Sequence, residues 1–157
     1  MLIKPDAFQR ALVGRIMSRF EEKGLQLVAA KLILLSDKSV SKQYQHLADK
    51  PFFDEIRNFM QKGPVLATVW AGVDCVETVR RICGITKARE ADPGTIRGDW
   101  AMSVMCNLVH ASDSKTNADK EISMYFDRES ILSYKQSTTP FLYSNRENPS
   151  DYNMEVS

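Results

Sequence analysis

Histidine is scarce in this chain, with two in 157 residues, His46 and His110. Neither belongs to an HExxH pair, which excludes a zinc-peptidase helix. The three cysteines, Cys75, Cys83 and Cys106, are too widely spaced to form CxxC. An odd, scattered set argues against a disulfide framework or a zinc site and for a reducing, cytoplasmic setting. Each cysteine is expected to be a small buried residue. The seven glycines form neither GxxxxGK[ST] nor GxGxxG, which excludes a P-loop, a Rossmann turn and a protein-kinase glycine loop. No apolar run approaches the roughly 18 residues of a membrane span. The opening MLIKPDAF is interrupted by Lys4, Pro5 and Asp6, too early for a signal-peptide core. Excess charge is missing as well. A formal net charge of +1 gives no support for a nucleic-acid or membrane partner.

What is present reads as one globular domain. A hydrophobic fraction of 43% and a charged fraction of 26% suit a chain long enough to bury a core. Leu2 and Ile3 form a short strand stopped at Pro5. Leu12, Ile16, Met17 and Phe20 share a helical face within 11–23, and Gly24 ends it. Residues 25–35 read as a strand, and 39–47 and 53–62 as helices split at Lys50-Pro51. VLATVW, 65–70, is an almost continuous apolar run between glycines, the pattern of a central buried strand. Residues 73–83 read as a helix with Asp74 as N-cap and Gly84 as stop. A long irregular stretch, 85–99, precedes a last strand within 102–110 and a helix over 114–126. From Ser137 the tail is polar and expected to have little regular structure. The order implies an α+β fold with a ferredoxin-like βαββαβ core. A four-stranded antiparallel sheet carries an extra helical hairpin and a long loop before the last strand.

Three stretches carry chemistry. IKPD (3–6) sets a cation at a strand end. GITKAREADPGTIRGD (84–99), with Arg80 upstream, offers Thr86, Arg97 and flexible backbone for gripping an anion. NLVHASDS (107–114) sets His110 at a strand-to-helix junction. A neutral imidazole is a good nucleophile near neutral pH and can carry a phosphoryl group, given a partner such as Ser112 or Glu121 to fix its tautomer. With no phosphate-binding glycine loop, side chains must hold any phosphate, and Lys4, Arg80 and Arg97 are the candidates. Bland readings stand beside these. A lone histidine is more often a satisfied buried residue, His46 reads as solvent-facing, and Arg81 as a solvated helix cation.

NLVHASDS resembles the active-site pattern N-x-x-H-[GA]-S-D-S of the nucleoside diphosphate kinases. IKPD, KPFF (50–53), GPV (63–65), PGTIRGD (93–99) and KEI (120–122) match the same family collinearly. The resemblance runs from Met1 to about Tyr143, giving a catalytic domain over 1–143 and a polar C-terminal extension over 144–157. It implies reversible γ-phosphate transfer from a nucleoside triphosphate, usually ATP, to a nucleoside diphosphate. The route is ping-pong, through His110 phosphorylated on its pros nitrogen. It further implies that Lys4, Tyr44, Phe52, Arg80, Thr86, Arg97, Val104 and Asn107 bind the nucleotide. Of these, Arg80, Thr86 and Arg97 hold phosphates, Lys4 and Asn107 meet the ribose, and Phe52 and Val104 sandwich the base. Lys4 also assists at the transferred phosphate. Ser112 and Glu121 orient the imidazole, and Asp113 reaches a nucleotide-borne Mg²⁺ through water. Stacking without hydrogen-bond readout implies low base specificity. The family is usually a homo-oligomer, most often a hexamer and sometimes a tetramer. Four positions depart from its common pattern: Lys87-Ala88 for Asn-Pro, Cys106 for arginine, and Ala111 for glycine. The glycine-to-alanine change suits the turn only if φ is not positive there.

Overall fold

The sheet is organised by one strand that is apolar on both faces. In the computed structural model, which describes residues 1–144, 146–147 and 155–156, that strand is β3 (Val65–Gly72). Successive strand side chains point to opposite faces. Val65, Ala67 and Val69 join one apolar cluster with Val28, Val40, Phe59 and Phe126. Trp70 joins the other with Ile3, Ile16, Phe20 and Val79. The continuous run VLATVW thus reflects burial on both sides. Each fully buried valine of the strand contributes about 2 kcal/mol through burial. Trp70 keeps its polar edge satisfied by donating to Thr68 Oγ1 at 3.0 Å.

Around β3 stand β1 (Leu2–Ile3), β2 (Gln26–Ile33) and β4 (Val109–His110) in the order β2-β3-β1-β4, each neighbouring pair antiparallel. This is the expected ferredoxin-like order. α1 (Pro5–Gln9) and α2 (Val13–Glu22) link β1 to β2. The extra hairpin, α3 (Asp37–Gln43) and α4 (Phe53–Met60), lies between β2 and β3. α5 (Cys75–Cys83) follows β3, and α6 (Ile96–Trp100) lies in the long loop. After β4 come α7 (Lys115–Tyr125) and α8 (Thr139–Leu142), then β5 (Glu155–Val156).

Several expectations need correction. The last strand does fall within 102–110, but it is only two residues long. Ser103 Oγ accepts from the backbone N–H of Met105 and Cys106, a local turn that competes with ladder pairing. Leu108 then takes φ +70°, which no strand residue adopts. The stretch 85–99 contains a 3₁₀ turn at Ala88–Glu90 and the helix α6, capped by Thr95 Oγ1 on Gly98 N–H at 3.0 Å. Five residues including a glycine are too few for periodicity to reveal. Pro5 does end β1, but as the first residue of α1, where its missing N–H costs nothing. Asp74 sits at the N-cap of α5 with φ +49° and makes no side-chain cap bond. Cys75 and Cys83 are buried as expected, whereas Cys106 is exposed. The tail also has structure: α8 carries Pro140 in its first turn, and β5 pairs with Ala71 and Gly72 of β3. Of the expected polar extension, residues 145, 148–154 and 157 lie outside the described residues.

Candidate active site

The site is assembled on a strained turn. Leu108 is fully buried and left-handed, a conformation that costs a non-glycine residue about 1 kcal/mol or more. Its neighbours hold it there. Asp6 Oδ2 accepts from Leu108 N–H at 3.0 Å, and Leu108 C=O accepts from Lys4 N–H at 2.8 Å. The Arg97 guanidinium clamps the same turn, with Nε to Asn107 C=O at 3.3 Å and Nη2 to Val109 C=O at 2.7 Å. Its Nη1 reaches Gly84 C=O at 2.6 Å. Three of its five N–H donors are thus taken.

Lys4 closes the turn from β1. Its Nζ donates to Asn107 Oδ1 at 2.7 Å and to Met105 C=O, and it lies 4.9 Å from the Phe59 ring centroid. Burial pulls the ammonium down to about 8, against a smaller opposing pull from Asp6. Burial likewise lowers Arg97 from its ordinary value. Asn107 completes the link by donating to Val104 C=O at 2.8 Å and Thr86 C=O at 3.2 Å.

Beyond the turn, β4 ends at His110, whose side chain is 20% exposed. Its Nε2 lies 3.0 Å from Glu121 Oε2, which also accepts from Ser112 Oγ at 2.9 Å. Burial pushes the Glu121 carboxyl up, but the bond and charge of His110, then the bonds from Ser112 and Gln43, hold it below its ordinary value. Nδ1 of His110 makes no hydrogen bond among the described residues. The Tyr44 ring meets the imidazole edge-on, 5.7 Å between centroids. Tyr44 is buried, and burial raises its hydroxyl well above the ordinary value. Ala111 is absent from the positive-φ residues, so alanine fits this turn without strain.

The remaining expected residues stand farther out. Phe52 is 43% and Val104 56% exposed. Phe53, not Phe52, packs into the core. Arg80 is exposed and forms no ion pair or hydrogen bond among the described residues, while Arg81 pairs with Glu77 across one helical turn. Arg80 and Asp113 line one open groove of about 800 Å³ with Asp92, Thr95 and Lys115. Asp113 accepts from Asn117 Nδ2 at 2.6 Å and Ser114 Oγ at 3.0 Å, bonds that lower its pKa. Ser114 also caps α7, as its place in the sequence suggests. The exposed Thr86 contributes its backbone carbonyl here, with no side-chain bond among the described residues.

Two participants were missed. Gln43 Nε2 lies 3.0 Å from His110 Nε2, and Gln43 Oε1 accepts from the Tyr125 hydroxyl at 2.8 Å. Tyr125 stands four residues after Glu121 and so shares its helical face, a signal that was legible. Nothing near Gln43 marks it.

A family model described as nucleoside diphosphate kinase matches residues 1–131. A nucleoside diphosphate kinase from Parabacteroides distasonis is 44% identical over 147 residues, covering 94% of this chain and 96% of its own length. Nucleoside diphosphate kinase A from the dog, Canis lupus familiaris, is 45% identical over 141 residues, covering 90% and 93%. Among solved structures, the halophilic nucleoside diphosphate kinase from Halobacterium salinarum in complex with CDP superposes with a TM-score of 0.88. It is 37% identical and covers 90% of this chain and 95% of that one. The apo enzyme from Encephalitozoon cuniculi gives 0.87 at 40% identity, covering 90% and 96%. By sequence and by fold, the chain belongs to the nucleoside diphosphate kinase family.

Proposed function

We propose that this enzyme transfers the γ-phosphate of a nucleoside triphosphate, usually ATP, to a nucleoside diphosphate by a ping-pong route through His110. The observation that carries the reading is the state of the imidazole. Nε2 is held by an ionised carboxylate, and Nδ1 is left without a partner among the described residues. With its proton on Nε2, the ring presents the Nδ1 lone pair. Nδ1 forms a bond to the γ-phosphorus as the bond to the β–γ bridging oxygen breaks, and the nucleoside diphosphate leaves with that electron pair. A β-phosphate oxygen of a second nucleoside diphosphate then attacks the same phosphorus, and the Nδ1–P bond breaks. Glu121 offsets the positive charge of the phosphorylated ring without taking its Nε2 proton.

The other residues serve binding. Arg80, Thr86 and Arg97 hold phosphates. Lys4 and Asn107 meet the ribose, and Lys4 also assists at the transferred phosphate. Tyr44 lines the site beside the ring. Phe52 and Val104 sandwich the base, and their exposure and lack of polar readout suit a site that takes many bases in turn. Among the described residues no group of three His, Cys, Asp or Glu side chains is placed to cage a metal. The single exposed carboxylate of Asp113 fits Mg²⁺ that arrives on the nucleotide and is touched through water. Bound there, the ion neutralises phosphate charge.

Assembly as a homo-oligomer, a hexamer by preference, fits an edge strand β2 that exposes Leu32 at 61%. No described helix is long and apolar enough to cross a membrane, which is compatible with action in the cytoplasm. The test is incubation with γ-labelled ATP and Mg²⁺ without acceptor. An acid-labile, alkali-stable phosphoenzyme should form and discharge on adding a nucleoside diphosphate. Label persisting in His110→Ala, or no label in the native enzyme, overturns the mechanism.

A further inference from the structure

The hydrogen count around the imidazole assigns a role to Gln43. The residue is buried at the last position of α3 and contributes one carbonyl oxygen and one amide nitrogen. The oxygen accepts from the Tyr125 hydroxyl at 2.8 Å. The nitrogen has only hydrogens to give, and it points at the Glu121–His110 contact, 3.0 Å from Nε2. Nε2 in turn lies 3.0 Å from Glu121 Oε2.

Two arrangements satisfy this geometry. In one, Nε2 is bare, accepts from Gln43, and Nδ1 carries the proton. That tautomer has no lone pair on Nδ1, and Glu121 loses a donor. In the other, Nε2–H donates to Glu121, and the Gln43 amide must turn its hydrogen to the carboxylate as well. A bond to a charged acceptor is roughly twice as strong as a neutral one. The second arrangement therefore gives Glu121 three donors, from His110, Ser112 and Gln43, and leaves Nδ1 open.

We infer that Gln43, anchored by Tyr125, is a positioning residue that completes the donor set of Glu121 and so holds His110 in the tautomer with a bare Nδ1. This rests on the reading of His110 as the phosphate carrier. The same hydrogens serve the phosphorylated ring, whose Nε2 must also carry its proton, so no amide has to flip between the half-reactions. The side chain straps α3 to α7 across the end of β4. The titratable groups around it are His110 from β4 and Glu121 and Tyr125 from α7, with Tyr44 next in sequence, and the Met1 amine interacts with Glu121. Lys4 and Arg97 stand behind the turn.

The test combines rates, spectra and a double-mutant cycle. Loss of one hydrogen bond to a charged group in Gln43→Leu should slow phosphoenzyme formation about tenfold, with KM for ATP changed less than about twofold. Tyr125→Phe, which keeps the amide but loosens its anchor, should slow it about threefold. With two histidines in the chain, ¹⁵N spectra resolve His110, and its Nδ1–H population should rise in Gln43→Leu. In a Glu121→Gln background, Gln43→Leu should add less than about a twofold loss, because both act through one carboxylate. A role confined to packing predicts full additivity and an unchanged tautomer, and either result overturns the inference. If Gln43→Leu does not fold, the Tyr125→Phe and Glu121→Gln cycle carries the same test. Failure of the native enzyme to form a phosphoenzyme defeats the His110 reading itself. A labelled native enzyme with an unaffected Gln43→Leu defeats only the role of Gln43.

Discussion

Around His110 the side chains are buried and bonded to one another, while around Phe52 and Val104 they are exposed and touch little. Lys4, Arg97, Asn107 and Ser112 are all buried polar groups with partners. Phe52 stands at the N-cap of α4, and Val104 in a turn. On the proposed reading, in which the buried end meets phosphate and ribose and the open end meets the base, the difference follows from what each end must recognise. The phosphate chain and ribose are common to every substrate, so donors fixed in advance suit all of them and need no reorganisation when charge moves. The base changes from substrate to substrate. A flat apolar contact tolerates that change where a bonded pocket would reject it.

The sharpest way to break this contrast is at Arg97. Arg97→Ala strips the donor from three carbonyls and leaves a void beneath a strained turn. Stability should fall by about 3 kcal/mol or more, with activity lost. Denaturant unfolding and turnover check it together, and Arg97→Lys should rescue neither, because a single ammonium cannot span three carbonyls. An effect on nucleotide affinity alone would show that the buried end is less integral than its bonds suggest.

Lys4 gives a test by pH. Its folded value of about 8 lies below the ordinary 10.5, so the unfolded chain binds this proton more tightly. The cost to stability is full below about pH 8 and fades as pH rises towards 10.5. Activity moves in the opposite sense, since the free enzyme loses the cation above about pH 8. The expected result is an alkaline limb in kcat/KM near pH 8 that disappears, with most of the rate, in Lys4→Met. A limb that survives in Lys4→Met belongs to another group.

The smallest effect is expected at the open end. Phe52→Ala should weaken every nucleotide by roughly tenfold, the size of one lost base–aromatic stack, and leave the unfolding midpoint unchanged. A loss confined to purines or to pyrimidines would replace simple stacking with selective recognition.

Long, strongly patterned elements were legible, and short or strained ones were not. β3 announced itself because both faces are buried, and α2 and α5 because Phe20 and Val79 recur with their neighbours at helical spacing. α1 and α6 have five residues each, less than two turns, and their starts look like breakers. The start of the last strand could not be placed, because Ser103 turns the chain locally and Leu108 is held left-handed by contacts from Asp6 and from Arg97 on its neighbours. The same holds for the site. Motif residues were readable on a family pattern, and the structure joins Lys4, Asn107 and Arg97 by hydrogen bonds on one side of the turn and His110, Glu121 and Ser112 on the other. Tyr125 could have been found from its place one helical turn after Glu121, but Gln43 entered only through distances, since a buried glutamine beside an imidazole has no signature in one dimension.

β5 has a topological consequence. Val156 stands opposite Ala71 and Leu2 opposite Ala67, both running antiparallel to the same strand. The last described segment therefore points into the first, in one line along β3. Four positions separate their partners, a gap of about 13 Å that three extended residues span. β5 and β1 thus read as one interrupted strand beside β3, with the backbone of Met1 already set against Thr68 inside the gap.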